Sequence, residues 1–96
     1  MHPYKLNPDG TTEQADDHDK TIWKNRRIDY TEVGGVGVST VFLIYDHNYT
    51  GSGAPILFET RVFGGPMDGE CVRYTTKAEA MMGHLDMVLR VKTGEV

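Results

Sequence analysis

Apolar and polar positions alternate with period two over four stretches of this chain and switch to a helical period near its end. At the centre, Val36–Tyr45 reads V-G-V-S-T-V-F-L-I-Y and Ile56–Phe63 reads I-L-F-E-T-R-V-F. These are β-branched and aromatic runs around a polar, Gly-rich connection, the pattern of a β-hairpin. Before them Ile28, Tyr30 and Glu32 alternate with Asp29, Thr31 and Val33, which predicts a strand. Gly34-Gly35 then supplies the positive φ that a tight hairpin turn needs. After them Gly64-Gly65-Pro66 and Asp68-Gly69 break the chain, and Glu70–Thr75 alternates again as a fourth, shorter strand.

Thr76-Lys77-Ala78-Glu79 has the form of a capping box, so a helix is predicted over 76–93 with Gly94 as its stop. Ala78, Met81, Met82, Leu85, Val88 and Leu89 recur at 3.6-residue spacing, opposite Glu79, Gly83, Asp86 and Arg90. This stripe is expected to pack on Phe42, Ile44, Ile56, Phe58 and Val62, with Leu85 as a core residue. Residues 1–25, with Pro3, Pro8, Asp9-Gly10 and an acidic run, read as a mostly irregular N-terminal arm. A helical turn is expected within Asp19–Asn25, with Trp23 pinning the arm to the body. The expectation is α+β: a four-stranded antiparallel meander over 26–75 with one C-terminal helix on one face, all in one domain, 1–96. The other sheet face would carry Val41, Leu43, Tyr45, Leu57 and Phe63 with no helix to cover them. That predicts a homodimer.

Composition narrows the function classes. A chain of 96 residues has room for one core. Its net charge of −4 gives no overall electrostatic footprint for nucleic acid. The single cysteine, Cys71, excludes an intrachain disulfide, and no apolar run nears the roughly 20 residues that span a bilayer. The N-terminal residues lack a signal-peptide core, so a cytoplasmic location without membrane contact is expected.

Three places could carry chemistry. The connection from Asp46 to Ala54 is longer than a tight hairpin requires, and its His47, Asn48 and Tyr49 offer hydrogen bonding and stacking; the plainer reading is a solvated loop. Glu59 and Arg61 share one strand face and belong away from the helix, either as a cross-strand ion pair with Arg73 or as convergent charges for a phosphate-bearing or polar ligand. His84 lies at the border of the helix stripe, where it could be a partly buried structural histidine or, with His47, an acid/base pair. Arg61 should stand roughly 15–20 Å along the strand from the loop base, so a shared site would need one subunit's loop to reach its partner's sheet. Asp16, Asp17, His18 and Asp19 lack calcium-loop order, no Cys/His spacing suits zinc, and Gly34-Gly35-Val36-Gly37 precedes a strand where a dinucleotide fingerprint needs a helix. No metal or cofactor is expected.

The segments P-Y-K-L-N-P-D-G, S-T-V-F-L-I-Y-D-H-N, L-F-E-T-R-V-F-G-G-P and R-Y-T-T-K-A-E-A-M-M-G-H resemble a family of small uncharacterised bacteriophage proteins over most of the chain. The pairs that carry the likeness are Asp46-His47, Glu59-Thr60 and Gly83-His84; the segment before the first strand is shorter and more charged here. The resemblance implies an accessory protein acting in the host cytoplasm. The expected function is non-enzymatic: binding a polar small molecule such as a signalling nucleotide, or a host defence protein, through His47, Asn48, Tyr49, Glu59, Arg61 and His84. The alternatives are a small hydrolase or nuclease using His47 and His84 with Glu59, and a structural virion component.

Overall fold

In the computed structural model, which describes residues 2–24 and 26–94, Tyr4–Leu6 (β1) and Thr12–Gln14 (β2) pair as a small antiparallel hairpin. A 3-10 turn follows at Lys20–Trp23, capped by Asp19, whose carboxylate accepts the Thr21 N–H at 2.9 Å. Then come Arg27–Val33 (β3), Val36–Phe42 (β4), Phe58–Phe63 (β5), Cys71–Tyr74 (β6) and the helix Lys77–Thr93 (α1). Strands β3-β4-β5-β6 form one four-stranded antiparallel sheet in chain order, and α1 packs across one face of it. The α+β meander with a C-terminal helix is therefore the fold.

The boundaries follow from local chemistry. Both halves of the capping box are made: Thr76 Oγ1 accepts the Glu79 N–H at 3.1 Å, and Glu79 Oε1 accepts the Thr76 N–H at 3.2 Å. Gly94 ends α1 in the left-handed conformation, its N–H reaching back to Arg90 and Val91 carbonyls. The register places Val38 opposite Val62, Thr40 opposite Thr60 and Phe42 opposite Phe58. These residues form the helix-side face, all six of them buried.

Two parts of the arm differ from the sequence reading. It contains the β1–β2 hairpin, whose turn is held by Asp9 accepting from both the N–H and the hydroxyl of Thr11. It is anchored by Ile22 rather than Trp23: Ile22 joins the core of Phe42, Ile44, Leu57, Phe58 and Ala80, while Trp23 is half exposed beside Tyr45 and under the Arg26 guanidinium. Asn25, the end of the expected turn, lies outside the described residues. The arm also joins the body where Tyr4 N–H donates to the Ile44 carbonyl at 2.7 Å. Ile44 has a φ of 73°, costly for a β-branched residue, and its complete burial holds it there.

The phase of α1 is the larger correction. Its buried residues are Ala80, His84, Met87 and Val88, whereas Met81, Met82, Leu85 and Leu89 are 52, 74, 64 and 60% exposed. Leu85 is therefore not a core residue. The cause lies in the sheet: Thr40 and Thr60 stand at the middle of the helix-side face and hydrogen-bond each other. An apolar ridge over them would leave buried hydroxyls short of partners, at about 1–3 kcal/mol each. His84, completely buried, answers them: its Nδ1 lies 2.7 Å from Thr40 Oγ1 and its Nε2 2.9 Å from Thr31 Oγ1. Gly83 lets the helix settle onto Tyr74, since a Cβ there would run into the Tyr74 hydroxyl.

The far face of the sheet is not the apolar patch that the sequence suggests. Of the five residues expected there, Leu57 is buried in the core, Val41, Leu43 and Tyr45 are partly covered, and Phe63 alone stays more than half exposed, beside Glu59, Arg61 and Arg73. What remains open is a mixed surface. The Tyr30 ring lies across Gly37, where a Cβ would meet its hydroxyl at 2.6 Å, and the Arg27 guanidinium sits 4.9 Å from that ring.

Candidate functional site

The residues singled out in the sequence fall in three places. On the open sheet face, Glu59 pairs across the sheet with Val41 and Arg73, and Arg61 with Ser39 and Cys71. One Glu59 oxygen accepts from Arg61 Nε at 3.2 Å and the other from Arg73 Nε at 3.0 Å. Burial works to raise the Glu59 pKa, but hydrogen bonds from Arg73 and then Arg61 outweigh it and leave the carboxyl below its ordinary range. Cys71 is pushed the other way, first by burial and then by the Glu59 charge, so it stays a protonated thiol. Both Glu59 oxygens are committed to guanidiniums, which suits a cross-strand ion network rather than a general base.

His47, Asn48 and Tyr49 stay in the loop, and two of them have structural duties. Asn48 donates to the Ser52 and Ala54 carbonyls and accepts from Thr50, which closes the loop on itself. His47 Nδ1 lies 2.8 Å from the Tyr45 carbonyl oxygen. Tyr49 is exposed; its phenol makes a small contribution to the raised pKa of Arg73, whose main cause is the Glu59 hydrogen bond. Asn48 and Tyr49 also border a cleft of about 290 Å³ with His2, Tyr4, Gln14 and Asp46. A carboxylate lines that cleft and no Lys or Arg does, a poor setting for an anion.

His84 faces α1's side of the sheet and Glu59 the opposite side, since Thr60, its neighbour, opposes Thr40 and the histidine. A constellation of His47, His84 and Glu59 is not assembled within the chain. Among the described residues no three His, Cys, Asp or Glu side chains gather as a metal site.

The cleft that does combine charge with an enclosed apolar base lies elsewhere, between the arm and the start of α1. It holds about 410 Å³ and is lined by Lys5, Lys24 and Lys77 together with Leu6, Ile22 and Phe42, while Asn7, Pro8 and Thr21 complete its wall. Each lysine comes from a different element. Lys5 lies in β1, with its ammonium 3.1 Å from Glu13 on β2. Lys24 caps the 3-10 turn, donating its N–H to the Thr21 carbonyl, and Lys77 is the first residue of α1. The turn of the arm hairpin lies alongside Lys77, with Gly10 next to its aliphatic stem. Among the described residues neither Lys24 nor Lys77 has a carboxylate within 4.0 Å, and no acidic residue lines the cleft. On a chain of net charge −4 the cleft is basic through Lys24 and Lys77, while Lys5 is balanced by Glu13 and also lies near Asp19.

The sequence reading missed this site. Its lysines are spread over 72 positions, and only the docking of the arm against Phe42 and the helix start brings them together. The one local signal was the switch from acidic residues to Lys20 and Lys24 just before the first long strand. No family model, curated protein or solved structure matches the chain, so the functional reading rests on geometry.

Proposed function

We propose that the protein is a non-enzymatic binder of a phosphorylated small molecule of nucleotide size, held in the cleft between the arm and α1. The observation that carries this reading is the lining itself: three lysines, no carboxylate, and an apolar base of Leu6, Ile22 and Phe42. About 410 Å³ falls within the range of small-molecule pockets. Ammonium groups suit phosphate oxygens as point charges, and the apolar base suits a nucleobase or similar ring. Lys77 also opens a 17-residue helix, whose N-terminal end favours negative charge. Among the described residues the one carboxylate paired with these lysines, Glu13, is taken up by Lys5, so the reading is sequestration and not turnover. Such a binder would act as an accessory protein in a host cell, where removing a signalling nucleotide would blunt a defence response.

A thermal-shift panel tests the reading. Mono-, di- and triphosphate nucleosides and cyclic dinucleotides are added at millimolar concentration to the wild type and to a Lys24→Gln, Lys77→Gln variant. At least one phosphorylated class should raise the wild-type Tm by several degrees, and the gain should vanish in the variant and weaken with added salt. A panel without any shift, or a shift that survives both substitutions, overturns it.

A further inference from the structure

A second cleft, of about 400 Å³, opens beside the lysine cleft. One wall is the β1–β2 turn at Pro8–Thr11, and the other is the start of α1 at Lys77, Ala78 and Met81. Pro8 and Lys77 line both clefts, so the two are adjoining compartments of one trough with Lys77 at the divide. Their charges differ. The first is basic through Lys24 and Lys77, and no carboxylate lines it. Among the described residues the second has no cation besides the shared Lys77, and its lining includes Asp9. Asp9 Oδ1 accepts both the N–H and the hydroxyl of Thr11, at 2.9 and 2.6 Å, and these bonds hold the carboxyl below its usual range, and so ionised. Both go to the same oxygen, which leaves Oδ2 to accept from a ligand. Glu79 does not line the compartment, because its Oε1 is turned to Thr75 and Thr76.

We propose, resting on the phosphate-binding reading of the lysine cleft, that the ligand is a dinucleotide: two nucleosides joined through phosphate. The first base lies on Leu6, Ile22 and Phe42, the linking phosphate sits at the divide beside Lys77, and the second nucleoside fills the compartment beyond. The charge difference selects this class over a longer phosphate chain. A triphosphate tail running into the second compartment would meet the Asp9 carboxylate without a further cation to offset it. A neutral nucleoside meets no such repulsion. Its ring covers Pro8, Ala78 and Met81, the last of which is 52% exposed in the free protein, and a ribose hydroxyl or an exocyclic amine donates to Asp9. A mononucleotide leaves this compartment unused, whereas the joined second nucleoside enters it at high effective concentration.

Isothermal titration calorimetry compares the 5′-monophosphates of the four RNA nucleosides with dinucleotides of the same bases, in cyclic 3′–5′ and in linear 5′–5′ pyrophosphate form. These ligands carry about the same charge near pH 7.5, so a difference in affinity reports the second nucleoside. The best dinucleotide should bind the wild type at least tenfold tighter than its monophosphate, and tighter than the triphosphate of the same base. Ala78→Tyr, at an exposed position, fills the second compartment and should bring the dinucleotide down to the affinity of its monophosphate, with the far-ultraviolet circular dichroism of the wild type. Met81→Ala removes part of the apolar wall and should reduce the gain severalfold. Monophosphates that bind as tightly as dinucleotides, or a gain that survives both substitutions, overturn the proposal and leave the lysine-cleft reading standing. Absence of binding in every series overturns that reading, and this proposal with it.

Discussion

His84 Nδ1 lies 2.7 Å from the hydroxyl oxygen of Thr40, and neither residue is reached by solvent. The contact joins the middle of α1 to the middle of the sheet, with Thr60 and Thr31 completing the network. Each threonine hydroxyl can both donate and accept, and both imidazole nitrogens are met by hydroxyls, so every polar atom in the network has a partner. This polar knot fixes which side of α1 faces inward.

His84→Ala should accordingly cost about 2–4 kcal/mol, from a cavity plus stranded hydroxyls. Its neighbour Leu85→Ala should change the monomer's stability by less than about 0.5 kcal/mol, as a surface substitution. Urea denaturation at a concentration low enough to keep the chain monomeric measures both. A reversal of that order would restore the helix phase that the apolar stripe suggests.

Glu59 makes the open sheet face sensitive to acid. Its folded pKa lies below its ordinary value of 4.5 because hydrogen bonds from Arg73 and Arg61 outweigh burial. The group binds a proton less readily when folded, so its contribution is present above the unfolded pKa and is lost as pH falls through the lower folded value. Wild type should thus exceed Glu59→Gln in stability by about 1–3 kcal/mol at pH 7, with the gap closing below about pH 4.5. Cys71 supplies a second readout: burial and the Glu59 charge both hold its thiol protonated. Glu59→Gln removes one cause while the two arginines remain, so iodoacetamide should alkylate Cys71 faster in the variant at pH 7.5.

Much of the fold was legible because its elements carry local signals. The Gly34-Gly35 turn, the Thr76–Glu79 box and the period-two runs each specify a boundary without help from distant residues. The helix phase was not legible, since the strongest apolar stripe, Met81-Met82-Leu85-Leu89, faces out while a histidine faces in. Hydrophobic patterning assigns the most apolar face to the core, and it cannot see that the sheet presents two threonines there. Of the expected site residues, Glu59 and Arg61 do meet, but as an ion network with Arg73. The lysine cleft depends on contacts among the arm, the end of β4 and the start of α1, and such long-range contacts leave no mark on spacing.

The Lys5–Glu13 pair offers a way to strengthen binding. Glu13 holds the Lys5 ammonium at 3.1 Å, and both side chains are well exposed. An incoming phosphate must compete with that carboxylate. Glu13→Gln should therefore tighten binding of whichever phosphorylated compound is active by about two- to fivefold, the scale of one exposed ion pair. Isothermal titration calorimetry of the two proteins at equal ionic strength checks it. Unchanged affinity would remove Lys5 from the ligand's contacts.

The most direct test of the cleft is its location, read by amide chemical-shift mapping while an active nucleotide from the thermal-shift panel is titrated into ¹⁵N-labelled protein. The largest shifts should fall on Lys5, Leu6, Ile22, Lys24 and Lys77, and the loop amides of His47–Thr50 and the strand amides of Glu59–Arg61 should stay still. Shifts gathered on the loop and on Arg61 and Arg73, with the lysine cleft silent, would contradict the account and move the site to the open face of the sheet.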